Sequence, residues 1–214
     1  MSRTVPALPP TLRIPLAVVA ILSTAVVVVL GIRYAGETTA GPLDSQLQPW
    51  LTDTVFAHLR LALVIDYAGE PLGLAALVTL LTVLSLVLRR PRMAALVLLG
   101  TGLTITMTSL IKPLAGRIIH HEHLSYPSGH TASATALAML AAMLAWHRLH
   151  PAAALALLLG AALVVGAAAA WAQAGLGAHY PTDTLGGWCT ALAVVPTTAW
   201  VVDLAADRVT ARSL

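Results

Sequence analysis

The chain is poor in charged side chains, since Asp, Glu, Lys and Arg make up only 10% of its 214 residues. In typical soluble domains, charged residues make up about a quarter of the chain. It also has a single cysteine, Cys189, so an intrachain disulfide is excluded. The formal net charge at pH 7 is only +3. The shortage of charge argues against a separate soluble domain. Because the basic residues have a simpler use as topology markers, we expect no nucleic-acid binding.

Apolar residues are abundant instead, at 58% of the chain. A bilayer core about 30 Å thick needs about 20 apolar residues for each helical crossing, so the length suits about six crossings. We therefore predict an all-α fold, a bundle of six transmembrane helices in one domain. The predicted spans are residues 12–32, 71–88, 93–111, 129–146, 152–171 and 184–205.

The two ends of the chain are predicted to be tails. Residues 1–11 contain Pro6, Pro9 and Pro10 and too little apolar surface to order themselves, so we expect a disordered cytoplasmic tail. The first apolar run exceeds the roughly 7 to 15 residues of a signal-peptide core, which favours a retained anchor over a cleaved signal. The membrane domain then covers residues 12–206, and residues 207–214 form a second cytoplasmic tail.

Residues 33–70 hold five acidic residues out of nine in the chain, which indicates a solvent-facing loop. Within it Leu51, Val55, Leu59 and Leu63 recur every four residues beside polar side chains. This spacing predicts a one-sided helix lying on the membrane surface, with a shallow or re-entrant segment as the alternative. We expect His58 to be an interfacial side chain without chemistry.

The basic residues predict the orientation of the bundle. With the N-terminus inside, eight basic residues lie inside and four outside, which obeys the positive-inside rule. The inside set is Arg3, Arg13, Arg89, Arg90, Arg92, Arg148, Arg208 and Arg212, and the outside set is Arg33, Arg60, Lys112 and Arg117. Both termini are then cytoplasmic in a multi-pass protein of the cell membrane.

Two polar segments each precede an apolar run. The first is Pro127-Ser128-Gly129-His130, and the second contains His179 and Asp183. One descent, one turn and one ascent separate the two histidines, so both should lie on the outer face. The alternative for the second segment alone is a structural helix cap.

These residue types fit phosphoryl transfer. A neutral His179 can attack phosphorus while Asp183 holds its other ring nitrogen, and His130 can protonate the leaving group. Free amides at Ser128 and Gly129, at the start of a helix, favour an anion. Further positive charge for the same outer cleft would come from Lys112 and Arg117.

The run His120-His121-Glu122-His123 suggests a metal site, because imidazole and carboxylate bind zinc. Adjacent residues rarely converge on one ion unless the loop folds back. We therefore predict no metal, and expect this loop to contact phosphate or a lipid headgroup.

Lys112, the Pro127-to-His130 segment and His179 with Asp183 resemble the three signature motifs of the type 2 phosphatidic acid phosphatase superfamily, which is related to the vanadium haloperoxidases. The resemblance covers roughly residues 72–205. It implies a six-helix membrane phosphatase that needs no metal or other cofactor and has an outward-facing site. It also implies a phosphohistidine on His179, and phosphate binding by Lys112, Ser128 and Gly129.

The first and third motifs depart from the family pattern. Where the family has Arg-Pro after the lysine, this chain has Ile119 and His120, and where it has Ser-Arg before the histidine, this chain has Ala172 and Gln173. Arg117, two residues early, is expected to substitute in part. Gln173 can donate a hydrogen bond to phosphate without a charge.

The sequence thus predicts a phosphatase acting on a phosphomonoester or diphosphate of a lipid or polyprenyl substrate at the outer leaflet. Candidate substrates are polyprenyl diphosphates, polyprenyl-linked sugar phosphates, phosphatidic acid and phosphatidylglycerol phosphate. The missing arginines motivate an alternative, a lipid-phosphate binding or transport protein with weak or no catalysis.

Overall fold

The computed structural model describes residues 6–146 and 149–212. This part of the chain forms eight helices and one antiparallel hairpin. The helices are α1 (Pro10–Arg33), α2 (Pro42–Ala57), α3 (Leu59–Gly69), α4 (Pro71–Val87), α5 (Pro91–Ala115), α6 (Gly129–Ala145), α7 (Pro151–Gly175) and α8 (Pro181–Arg212). The hairpin pairs β1 (Ile118–Ile119) with β2 (His123–Leu124). A proline stands in the first turn of α1, α2, α4, α5 and α7, where its missing N–H breaks no helical hydrogen bond.

The helices confirm the predicted all-α membrane class. Four of them, α1, α5, α7 and α8, are long and apolar enough to cross a bilayer. Helices α3 and α4 pass the same test only as a pair, bent by 66°. Helix α6 is apolar but has 17 residues, fewer than the about 20 of a full crossing. The count of six spans is therefore approximate.

Helix α6 packs against α5, α7 and α8 in the interior of the bundle. Most of its side chains are small and buried. Close approach depends on such residues, as at Gly166 of α7, where an added Cβ would lie 2.3 Å from the Trp188 ring and 2.8 Å from the Thr135 hydroxyl. This packing brings α6, α7 and α8 into close contact at Thr135, Gly166 and Trp188.

The N-terminal residues are more ordered than the sequence predicted. Ala7 and Leu8 are buried, and their N–H groups donate to the two carboxylate oxygens of Asp203 on α8 at 2.9 and 2.8 Å. Arg92 of α5 also donates to this carboxylate, at 3.3 Å. Asp203 thus holds Ala7 and Leu8, and α1 already begins at Pro10, inside the predicted tail. Residues 1–5 lie outside the described residues. The predicted tail from residue 207 continues α8 as far as Arg212.

The segment before α4 contains two helices instead of one. The backbone turns at His58, which ends α2 and precedes α3. Val55 and Ala62 are fully buried and pack with Ala172 of α7. The prediction of one continuous surface helix is therefore wrong: the helix breaks at His58, and residues on both sides of the break pack on α7. The predicted turn at residues 147–151 begins outside the described residues.

Candidate functional site

The first polar segment lies where α6 begins. Ser128 is the N-cap residue, and its Oγ accepts a hydrogen bond from the Thr131 N–H at 3.4 Å. Gly129 is the first helical residue, so the predicted helix start is confirmed. The first turn of a helix carries unpaired amide donors and the positive end of the dipole. This end of α6 is suited to an anion.

The second polar segment connects α7 to α8. The Ala178 and His179 N–H groups donate to the Gln173 carbonyl, at 3.0 and 3.3 Å, which closes α7. At the start of α8, the Tyr180 N–H donates to Asp183 Oδ2 at 3.0 Å. The Ser128 N–H donates to the Asp183 backbone carbonyl at 3.0 Å. The structure thus fastens the two polar segments to each other.

His179 faces Asp183 across a short gap. Its Nδ1 lies 3.8 Å from Asp183 Oδ2, which is longer than a hydrogen bond. The ring is buried, and Nδ1 has no hydrogen-bond partner within the described structure. Burial lowers the pKa of His179, Asp183 opposes this change, and Lys112 and His130 reinforce it. The ring therefore favours its neutral form, which is the nucleophilic one.

Lys112 lies near the C-terminal end of α5. Its Nζ donates to the Leu124 carbonyl of β2 at 2.7 Å. Its charge acts on His179 and on Asp183. An ammonium group has two further donors, so Lys112 can bind the hairpin and an anion together.

Arg117 has partners other than the predicted phosphate. The side chain is fully buried, and its guanidinium donates to Asp183 Oδ1 and to Asp44 Oδ2, both at 2.6 Å. It also donates to the Thr182 hydroxyl at 2.7 Å. Phosphate binding by Arg117 stays a prediction, and in this geometry both terminal nitrogens already bind protein.

Gln173 and His130 adjoin carboxylates of α3. The Gln173 side-chain amide donates to Asp66 Oδ1 at 2.6 Å. His130 Nε2 lies 3.5 Å from Glu70 and 3.9 Å from Asp66, and it has no hydrogen-bond partner within the described structure. The place of a family arginine is thus taken by an amide that already holds a carboxylate.

Among the described residues, one group of three could present ligand atoms to a metal: Asp66, Glu70 and His130, with these atoms within 4.8 Å of one another. All three side chains are partly exposed to solvent. Exposed acidic groups gather commonly without an ion, so we assign no metal to it. His120 lies in the loop of the hairpin, and its Nε2 is 2.8 Å from the Gly177 carbonyl oxygen, between α7 and α8.

The bundle defines a class, a helical membrane protein in which the polar starts of α6 and α8 are bonded to each other. The family model of the PAP2 superfamily matches residues 72–206. The chain belongs to the PAP2 superfamily, whose members are generally phosphatases. No curated protein and no solved structure matches the chain.

Several polar residues around this site were missed by sequence reasoning. Asp44, Asp66 and Glu70 precede the matched residues 72–206 and were assigned to a solvent-facing loop. A signal existed, because five of the nine acidic residues lie in this short region. Their partners lie about 60 to 140 positions later in the chain, a separation that a single sequence does not reveal.

Proposed function

We propose that this protein is a membrane phosphatase that cleaves a phosphomonoester or diphosphate of a lipid or polyprenyl substrate at the outer leaflet. The observation that carries the proposal is the bond from the Ser128 N–H to the Asp183 carbonyl, at 3.0 Å. It holds the start of α6 beside the first turn of α8 and the buried His179, whose pKa burial lowers. Membership of the PAP2 superfamily supports the same reaction class.

The first chemical step would form a phosphohistidine. Because Nδ1 faces Asp183, Nε2 of His179 is the nitrogen free to attack phosphorus. As the N–P bond forms, the bond from phosphorus to the leaving oxygen breaks, and His130 gives that oxygen a proton. Asp183 stabilises the positive charge that develops on the ring. The Gly129 amide at the helix end, with Lys112, would hold the phosphate oxygens, whereas the Ser128 N–H already donates to the Asp183 carbonyl.

The second step would release phosphate and restore the enzyme. His130, now neutral, takes a proton from water as the water oxygen attacks phosphorus. The N–P bond breaks and its electron pair returns to His179. Each step transfers one proton through His130, so the protonation of the site is unchanged after one cycle.

The test is phosphate release by purified protein in detergent or vesicles, across polyprenyl diphosphates, phosphatidic acid, phosphatidylglycerol phosphate and polyprenyl-linked sugar phosphates. We expect vanadate to inhibit and a chelator to have no effect. His179→Ala should lower kcat by at least about 10³-fold. His58→Ala, an exposed histidine between α2 and α3, is the matched control. Full activity in His179→Ala would contradict the proposal.

A second function, lipid-phosphate binding or transport without rapid turnover, is favoured by one observation. The positions of the two family arginines are Ile119, which is buried in the hairpin, and Gln173, which is bonded to Asp66. A charge-assisted contact contributes about 1.5 to 3 kcal/mol, so its loss weakens a phosphate clamp substantially. A large gain of turnover in Ile119→Arg with Gln173→Arg, from a nearly inactive parent, would support this function. An efficient parent would exclude it.

A further inference from the structure

A buried ionic cluster lies behind the catalytic pair. It consists of Arg117 with the carboxylates of Asp44 and Asp183, all three with fully buried side chains. Asp44 also accepts bonds from the Thr182 N–H at 2.9 Å and the Thr182 hydroxyl at 3.0 Å. The cluster therefore ties α2 and the loop after α5 to the first turn of α8, which carries Asp183.

Two aromatic rings enclose the guanidinium of Arg117. Its central carbon lies 4.1 Å from the centroid of the Tyr34 ring and 4.4 Å from that of Tyr180. A guanidinium within about 6 Å of a ring centroid gains cation–π attraction, and Arg117 has two such rings. Arg117 consequently has one fixed position, and its bonds to the carboxylates keep one direction.

The cluster fixes Asp183 from both sides. Arg117 holds Oδ1 at 2.6 Å, and the Tyr180 N–H holds Oδ2 at 3.0 Å. Oδ2 is also the oxygen that lies 3.8 Å from Nδ1 of His179. With both oxygens held, the carboxylate cannot rotate away from the imidazole.

Asp44 balances the charge of the Arg117 guanidinium beside Asp183. Arg117 paired with Asp183 alone would leave a neutral pair and would weaken the stabilisation of a charged imidazole. A second carboxylate on the same guanidinium restores one net negative charge, from two carboxylates and one cation. Charges near a titrating group act strongly in a buried site, where solvent screens them little.

We propose that Arg117 and Asp44 are positioning residues, which hold Asp183 against His179 and keep one net negative charge behind the nucleophile. This inference rests on the proposed function. Asp44 and Tyr34 precede the matched residues 72–206, so the family model does not include them. In this chain, Asp44 of α2 and Tyr34 after α1 therefore add to the surroundings of Arg117 and Asp183.

The decisive measurement is the acid limb of the pH profile of kcat/KM, which reports titration in the free enzyme. Asp44→Asn removes a negative charge and should move this limb to lower pH, by on the order of half a unit to one unit. Arg117→Gln removes a positive charge and should move it to higher pH. Arg117→Lys keeps the charge, so the limb should stay while kcat falls. Asp53→Asn, an exposed aspartate of the same helix, is the matched control.

The shift can be separated from other effects on the site. The position of a limb does not depend on how much protein is folded, so a merely structural role would leave it unmoved. Arg117 and Asp44 act on His179 through Asp183. The other charged and titratable groups that act on it, directly or through His130, are Asp183 of α8, Lys112 of α5, His130 of α6, and Asp66 and Glu70 of α3. All remain intact in these variants.

An unmoved limb in both Asp44→Asn and Arg117→Gln, or a shift of both in one direction, would overturn the inference. If the wild-type protein releases phosphate from no substrate, the proposed function fails instead. An NMR titration of the ¹³C-labelled His179 ring in the same variants then tests the inference alone. The same opposite shifts are expected there, and equal titration midpoints would refute it.

Discussion

Gly187 of α8 provides the sharpest test of how the site is held together. A Cβ placed on it would lie 2.3 Å from the carbonyl oxygen of Ser128 and 3.3 Å from the Ala132 nitrogen. Non-bonded carbon atoms prefer separations of about 3.5 to 4.0 Å, so the Gly187→Ala substitution must push the start of α6 away by roughly 1 Å. Both obstructing atoms are backbone, which has no alternative rotamer.

The free energy of unfolding should change less than the activity. Overpacking costs about 1 to 3 kcal/mol, while alanine gains about 0.8 to 1.0 kcal/mol over glycine in a helix. The net loss of stability is therefore about 0 to 2 kcal/mol. Catalysis is more sensitive, because a misplacement of about 1 Å can cost about 10²-fold in rate. We expect Gly187→Ala to fold and to lose most of its phosphate release.

The assays are thermal unfolding in detergent and phosphate release on the best substrate. Gly160→Ala on α7 is the matched control, because a Cβ there meets no atom within 4 Å. It should be as active as the wild type and up to about 1 kcal/mol more stable. If Gly187→Ala matched this control in both assays, the close contact between α6 and α8 would be refuted.

Two further predictions concern buried charge. Asp203→Ala leaves the Ala7 and Leu8 N–H groups without their acceptor and should lower the free energy of unfolding by on the order of 3 kcal/mol. Asp207→Ala removes an exposed partner of Arg92 and should lower it by less than about 1 kcal/mol. Thermal unfolding of both variants checks this, and equal losses of stability would contradict it. Because burial lowers the pKa of His179, the unfolded chain binds a proton at this residue more readily than the folded protein does. The wild type should therefore lose stability relative to His179→Gln as the pH falls below about 6.5, the pKa of the unfolded state. Above that pH the difference in stability should be constant. Thermal unfolding of both proteins across this range measures the effect, and a relative gain at acid pH would show that the folded protein holds the proton.

The apolar runs predicted most helices well, because a helix that crosses a bilayer needs about 20 apolar residues in succession, and such runs are easily seen in the sequence. The third predicted span begins at Met93, two residues after the first residue of α5, and the fourth begins at Gly129, which is the first residue of α6. The break at His58 was not predictable in the same way. Apolar residues continue at helical spacing on both sides of it, so the sequence pattern contains no sign of the break.

The candidate site was predictable to the extent that its chemistry is local in sequence. Ser128 as a cap and Asp183 four residues after His179 both follow from helix geometry. Arg117 looked like a free cation because the sequence shows a charge but not its partners. Its bonds to Asp44 and Asp183 span 73 and 66 positions, and only the fold brings those carboxylates within reach.

The carboxylate of Asp203 also constrains how many times the chain crosses the bundle. It joins the start of α1 to the last part of α8 and to the start of α5, so the first and last helices have their outer ends at one pole. A path that begins and finishes at the same pole consists of outward and return passes in equal number. Whichever of the short helices run the full length of the bundle, the outward and return passes of the described chain between these two ends are therefore equal in number.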